Sequence, residues 1–358
     1  MGISEDLSVK YVQLNMIILQ EMKIFKKYII SFIIIYFTLF KINFAQDPTF
    51  SQFYANSLYL APSFAGAADA NRLSLNYRDQ WPGISRVYNT YSFSFDKALP
   101  QFNSGIGILA TYDVAGSGDL STTNIGAIYS YDFNITKSWH LRPGVQFKFY
   151  YLGLDINKLI FNTQVSLAGN TPVIIPPQFN NVGGIDYEVS IISYNDRIWG
   201  GITLDHLFGP KISFYGDNGK VPIKTSLFGG WQIYKKTRLK QQEQDIISIA
   251  IILQKQGNFY QSDVGVYYYI HPLVFGIWYR GIPFYKVTAT TLQAGDAVIG
   301  LVGMKTKQVD IGYSYDFTIS NLFKASGGAH EISVIYRFNA MNMLKTNKRL
   351  KALPCPSF

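Results

Sequence analysis

Segments of about ten residues with alternating polarity recur along this chain from Arg72 to Phe338, many closing on aromatic residues. In one of them Val309, Ile311, Tyr313, Tyr315 and Phe317 share a face, and Asp310, Gly312, Ser314 and Asp316 share the other. Successive side chains of a strand point to opposite sides, so such a run has one apolar and one polar face. That pattern fits either a soluble antiparallel sandwich or a membrane barrel. Here the polar faces carry Arg, Lys and Asp, which a sandwich would have to bury unpaired. The aromatic residues crowd the ends of the apolar faces, where a barrel has its interfacial girdles. The expected fold is all-β: a closed antiparallel transmembrane outer-membrane barrel with lipid outside and water inside.

Fourteen strands are predicted, near 71–79, 87–97, 103–113, 119–132, 139–152, 183–194, 197–206, 223–235, 244–256, 259–270, 273–281, 296–304, 307–317 and 329–338. Leu73, Leu75 and Tyr77 oppose Arg72, Ser74, Asn76 and Arg78 in the first, and Val145, Phe147 and Phe149 oppose Gln146 and Lys148 in the fifth. The ninth, Ile246 to Leu253, is nearly all apolar, which predicts a protein neighbour on its inner side, with the N-terminal segment as the candidate. With both termini in the periplasm, the outward connections include the long stretches 153–182, 207–222, 282–295 and 318–328. The inward ones include the very short Asn195-Asp196, His271-Pro272 and Lys305-Thr306. Long outer loops and short inner turns are the habit of outer-membrane barrels. An even strand number with closure also leaves no backbone group unpaired in lipid. On this reading Ser314→Arg, facing a watery lumen, is expected to cost far less than Tyr313→Arg.

The N-terminus reads as an export signal. Lys23, Lys26 and Lys27 precede a thirteen-residue apolar run, Tyr28 to Phe40, which is shorter than the ~20 residues a spanning helix needs. Asn43-Phe44-Ala45 offers a cleavage site, so 1–45 is assigned as signal peptide with extra leading residues, Met16 or Met22 being alternative starts. Residues 46–70 then form a short segment of helix and turns at the periplasmic mouth or inside the barrel, 71–338 the barrel, and 339–358 a basic periplasmic tail. The formal charge of +9 becomes +7 when residues 1–45 take five Lys and three acids with them. Cations cluster at Lys235, Lys236, Arg238 and Lys240 in one inner turn, and at Lys345, Lys348, Arg349 and Lys351 in the tail. In an exported chain these point to a protein partner or an anionic envelope polymer, not to nucleic acid. A solvated tail is the plain alternative.

Catalytic and cofactor chemistry is not indicated. The histidines His140, His206, His271 and His330 fall at strand ends or turns without metal-type spacing, and Gly105-Ile106-Gly107 lies inside a strand with Ala110 following. Asp205-His206 is the one local pair that a barrel-rim enzyme could use. Tyr267-Tyr268-Tyr269 and Trp278-Tyr279 read as girdle residues before a carbohydrate platform. The single cysteine, Cys355, excludes an intrachain disulfide.

Three stretches carry a resemblance. The first contains Asp47, Pro48, Ser51 and Gln52 in Asp47-Pro48-Thr49-Phe50-Ser51-Gln52-Phe53-Tyr54, continuing to Leu60-Ala61-Pro62 and Gly66. The second is Asn76-Tyr77-Arg78-Asp79-Gln80-Trp81-Pro82. The third runs from Gly312-Tyr313-Ser314-Tyr315-Asp316 through His330-Glu331 to a C-terminal Cys355-Pro356-Ser357-Phe358. Together, in this order, they resemble the PorP/SprF family of the type IX secretion system in Bacteroidetes. The chain departs from the family habit at Asn56-Ser57, where Asn-Pro is frequent, and at Ser357, where Arg is frequent. The resemblance implies a non-catalytic outer-membrane barrel that works with secretion and gliding machinery. Its implied partners are outer-membrane lipid, periplasmic or lipoprotein components, and a secreted cargo such as a large adhesin. A fourteen-strand bore is too narrow for a folded adhesin, so the chain is not expected to be the export pore. The other reading is a channel for small or hydrophobic solutes, in the manner of fatty-acid porins. An open lumen would favour the channel, and a plugged one the accessory.

Overall fold

In a computed structural model, the structure describes residues 47–338 apart from 69, 85–87, 117, 156–157, 160–180, 215–218, 239–242, 282–296 and 320–325. The signal sequence, Lys240, the tail cations, and Cys355, Pro356 and Phe358 lie outside the described residues. Among the described residues fifteen strands follow one another: β1 (Asn71–Gln80), β2 (Tyr88–Leu99), β3 (Ser104–Ala115), β4 (Leu120–Tyr131), β5 (Phe133–Asn134), β6 (His140–Gly153), β7 (Val182–Tyr194), β8 (Ile198–Asp205), β9 (Lys224–Arg238), β10 (Glu243–Gln256), β11 (Phe259–Ile270), β12 (Leu273–Arg280), β13 (Ala297–Lys305), β14 (Val309–Thr318) and β15 (Ala329–Phe338). Each long strand pairs antiparallel with its neighbours in sequence. β4 pairs with β6, and β15 returns to β1 with Val334 opposite Leu75, so fourteen strands close the ring. The two-residue β5 is an addition to the predicted set. It pairs with the foot of β6 through Asn134 and His140.

The faces follow the alternation. On β14, Asp310, Gly312, Ser314 and Asp316 are buried inside, while Ile311, Tyr313 and Phe317 are exposed outside. β10 bears out the expectation of a protein neighbour: Ala250 and Ile252 join a buried cluster with Phe53, Tyr54 and Leu58 of the N-terminal segment. The connections divide by rim. The long connections that follow β1, β6, β8, β12 and β14 leave from one rim; the short ones that follow β2, β7, β9, β11 and β13 leave from the other.

Residues 47–70 run through the lumen. A four-residue helix, α1 (Ser57–Leu60), and a turn of 3₁₀ helix at Pro62–Phe64 compact the segment, Pro62 opening the second where it needs no N–H donor. Asp47 meets residues at the long-connection end of β8, β9 and β10. Gly66 and Ala65 meet the feet of β2, β4 and β6 at the opposite end. The segment therefore spans the bore from one rim to the other before β1 begins, so its Asp47 end lies at the long-connection rim, opposite to the periplasmic side expected of the N-terminus.

Candidate functional site

The site is the contact between this segment and the barrel wall, built from three polar anchors and one apolar core. At the first anchor, the Ser51 and Gln52 amides donate to the two oxygens of Glu331 on β15, at 2.7 and 2.9 Å. Ser51 Oγ donates to Asp316 on β14, and Gln52 Nε2 donates to Ser314 Oγ and to the Glu331 carbonyl. Arg78 on β1 reaches Asp316 at 2.7 Å and Glu331 at 3.2 Å, and donates to Ser51 Oγ at 2.9 Å. Arg280 on β12 bridges Asp316 and Asp263 and donates to the Phe50 carbonyl. All of these side chains are buried. A buried charge must be paired and hydrogen-bonded to survive; here Arg78, Arg280, Asp316 and Glu331 are each satisfied partly by the wall and partly by the segment, and Asp263 by the wall residues Gln261 and Arg280.

The second anchor holds Asp47. His206 Nε2 lies 2.9 Å from its carboxylate, Lys224 Nζ lies 3.2 Å away, and Gln256 both donates to the carboxylate and accepts from the Asp47 amide. Behind His206 stands Asp186, 2.8 Å from Nδ1, and Lys148 links Asp186 to Asp205. Burial works against charge on His206, but Asp47, Asp205 and the hydrogen bond with Asp186 outweigh it and push the imidazole up to about 10. Burial likewise opposes a charged Asp47, yet His206 and Lys224 hold its carboxyl well below the usual range. Asp47, Asp205 and His206 place one ligand atom each within 4.8 Å of one another, a spacing that would suit a metal ion. Lys148 and Lys224 already neutralise those carboxylates, and two ammonium groups at the site repel a cation. The chemistry of the cluster is that of an ionic latch, which is also what Asp205-His206 serves in place of a catalytic pair.

The third anchor sits at the opposite rim. Arg72 pairs with Asp96 and donates to Ser57, while the Gly66 amide donates to Asp96. Arg142 Nη2 and Ser130 Oγ both donate to the Ala65 carbonyl. Backbone meets backbone here. A Cβ on Gly105 would stand 2.0 Å from the Ala65 oxygen, and one on Gly144 would stand 2.3 Å from the Ser63 nitrogen, so only glycine fits at either place.

Between the anchors, Phe53, Tyr54 and Phe64 pack against inward-facing aromatic residues of β8, β9, β11 and β12. Phe53 meets Trp278 edge-on at 4.9 Å, Tyr54 meets Tyr267 at 4.5 Å, and Phe64 lies 5.8 Å from Phe228. Aromatic packing of this kind belongs to a protein core. Trp278 and Tyr267 are thus luminal, not girdle residues. So is Ser314, fully buried against Gln52, which overturns the expectation that arginine there is cheap: the inner face meets protein, not water.

Of the residues singled out from sequence, the structure joins Asp47 with the second anchor and Ser51, Gln52, Arg78 and Glu331 in the first. The Pro48 carbonyl accepts from Tyr59 Oη at 2.6 Å. Tyr77 faces outward and packs on Tyr91. Gln80 ends β1, and Trp81 extends the seam by donating its amide to Gly328, with Pro82 exposed beyond it. Lys235 and Lys236 are exposed on the short-turn rim; Arg238 closes β9. Sequence reasoning missed Arg280, Asp263, Asp186, Lys148 and Lys224 as anchor members. Their signal was an inward-facing charge on a strand, which demands a partner.

The family model described as "Type IX secretion system membrane protein PorP/SprF" matches residues 42–336. No curated protein matches the chain. Among solved structures, the Ralstonia pickettii toluene transporter TbuX aligns at 10% identity and a TM-score of 0.47, covering 79% of this chain and 93% of that one. A Pseudomonas aeruginosa FadL homologue aligns at 12% and 0.44, covering 83% and 100%. The KdgM porin aligns at 8% and 0.35, covering 75% and 99%.

Proposed function

The chain belongs to the PorP/SprF family of type IX secretion system membrane proteins, and we propose that it serves that machinery as a plugged, non-conducting anchor in the outer membrane. The filled lumen carries this reading. Segment 47–70 is bound at both ends of the bore and through its middle, so the barrel offers its partners a rigid, closed platform. A solute pathway would need the anchors to open. Opening would strip Asp316 and Glu331 of their Ser51 and Gln52 hydrogen bonds and break the Asp47 pairs with His206 and Lys224, a cost that makes it a rare event.

In the membrane, the short turns face the periplasm and the long connections face outward. Exposed Lys235 and Lys236 then stand on the periplasmic side with the basic tail, where acidic periplasmic or lipoprotein components of the machinery would be steered to them. The long connections present a surface on which a secreted cargo such as a large adhesin is delivered or held, with gliding as one use of such a cargo. Residues 1–45 are removed as a signal peptide.

The test replaces Lys345, Lys348, Arg349 and Lys351 with Ser. The variant barrel should reach the outer membrane and keep its heat-modifiable mobility, while salt-sensitive co-purification of secretion components falls and surface cargo falls with it. Normal cargo display from a folded, neutral-tailed barrel would remove the tail from the mechanism. Open-pore currents from the intact protein would favour a channel for small or hydrophobic solutes.

A further inference from the structure

β9 and β10 outrun their neighbours at the short-turn rim. The register of β8 with β9 ends at Ile198 opposite Trp231, and the Gln232 amide donates once more to the Arg197 carbonyl at 2.8 Å. β9 nevertheless continues through Arg238, paired only with β10, whose register runs to Glu243 opposite Arg238. Six residues, Ile233 to Arg238, therefore leave the barrel as one side of a hairpin, a reach of about 20 Å at ~3.3 Å per residue. Its other side is covered further out, because β10 stays paired with β11 to Asp245 opposite Ile270. The open edge is that of β9, and among the described residues nothing pairs with it beyond Gln232.

An unpaired edge is a template for another strand, and proteins blunt such edges with bulges and lysines. Both devices occur here. The register slips between Ile247 and Ser248, leaving Ile233 as the extra residue at the root of the hairpin. Ile233, Tyr234, Lys235 and Lys236 are all exposed. Asp245 lies opposite Lys236 in the register, but neither lysine forms an ion pair with another described residue. Two copies of this edge paired antiparallel would set lysines against lysines, which is repulsive. The same charges attract an acidic strand. The edge is thus closed to self-pairing and open to one class of partner.

We propose that the β9 edge of this hairpin, Ile233 to Arg238, is a docking site for an extended acidic segment of a periplasmic protein, which adds to the barrel as an extra strand. The proposal rests on the accessory reading, which places this rim in the periplasm. Main-chain hydrogen bonds would supply affinity, and Lys235 and Lys236, on opposite faces of the strand, would select acidic side chains at neighbouring positions.

The test uses the full chain in detergent micelles and fluorescein-labelled eight-residue peptides that carry glutamates at neighbouring positions, Val-Glu-Glu-Val-Val-Glu-Glu-Val, so that both strand faces are acidic. A second peptide carries the same charge with two central prolines, which block both hydrogen-bonding edges. Fluorescence anisotropy should show saturable binding of the first peptide. Binding should weaken at least tenfold for the proline peptide, and at least tenfold when Lys235→Glu and Lys236→Glu are combined in a barrel that keeps its heat-modifiable mobility. In a Cys355→Ser background, with copper phenanthroline and air as the oxidant, Tyr234→Cys should form a disulfide with a peptide bearing one central cysteine, and Lys307→Cys on the same rim should not. Equal binding of both peptides would reduce the effect to charge attraction and overturn the docking edge. No binding would overturn it equally, since the lysines would then merely protect the strand. Secretion components that still co-purify after such a result leave the accessory reading standing. Peptide binding without any co-purification would remove that reading and keep the edge.

Discussion

Replacing Arg78 with Met removes the cation that joins the N-terminal segment to β14 and β15. Arg78 makes three hydrogen bonds there, to Ser51, Glu331 and Asp316. Without it Asp316 keeps Arg280 at 3.0 Å, but Glu331 keeps only the two segment amides and no cation. The cluster goes from two cations against the three acids Asp263, Asp316 and Glu331 to one against three. Removing one partner of a buried ion pair costs roughly 3–5 kcal/mol, because the other is left uncompensated. At about 1.4 kcal/mol per tenfold, the opened population should rise by roughly two to three and a half decades. Glu331→Gln removes an acid from a cluster already rich in them and should cost less. Hydrogen exchange at the Ser51 and Gln52 amides and protease cleavage within 47–70 read the opening directly, in barrels whose heat-modifiable mobility is intact. Unchanged protection in Arg78→Met, or a larger loss in Glu331→Gln, would refute the ion-pair account of the anchor.

Three more outcomes are expected. The His206 latch follows pH: its folded pKa lies above the ordinary 6.5, so its stabilisation is full below about 6.5 and is lost as pH rises through about 10. Asp47, with its pKa lowered, contributes above its ordinary 3.8 and fades only in stronger acid. Protection of the segment should therefore decline between pH 7 and 10 in the native chain and stay flat in His206→Gln, as protease digestion across that range would show. Tyr313→Arg, on the lipid face, should cost ~2–4 kcal/mol, and Ser314→Arg, which would displace Gln52, should be no cheaper in urea-unfolding titrations. Antibody should reach a tag within 160–180 on intact cells and also one fused directly before Asp47 in processed protein, since Asp47 lies at the long-connection rim; a protected Asp47 tag beside a reachable loop tag would contradict that path of the chain.

The strands were legible because alternation is local: the two faces of β1, β6 and β14 can be read from ten or so consecutive residues. The odd composition of β10 pointed to a protein neighbour for the same reason, since an apolar inner face has to be buried against something. The anchors were not legible. Ser51 and Glu331 are 280 residues apart, and no local pattern says which inward charge meets which part of the segment. Asp47, Ser51, Gln52, Arg78 and Glu331 entered as parts of a family motif without a role, and only the closed ring brings them together. The difference at Ser314 has one physical cause: a polar inner face does not require water, since serines, amides and ion pairs line this lumen because the backbone of a threaded segment needs partners. Tyr267 and Trp278 were misplaced in the girdle for the matching reason, their inner neighbours being supplied by Phe53 and Tyr54.

The plugged-anchor account is tested most directly by the electrical conductance of the intact, signal-processed protein in planar lipid bilayers. The expected result is silence: no steady single-channel steps while segment 47–70 remains protected from protease. Sustained ohmic currents from a population whose segment is still protected would mean that an aqueous path runs beside it, and would contradict the account.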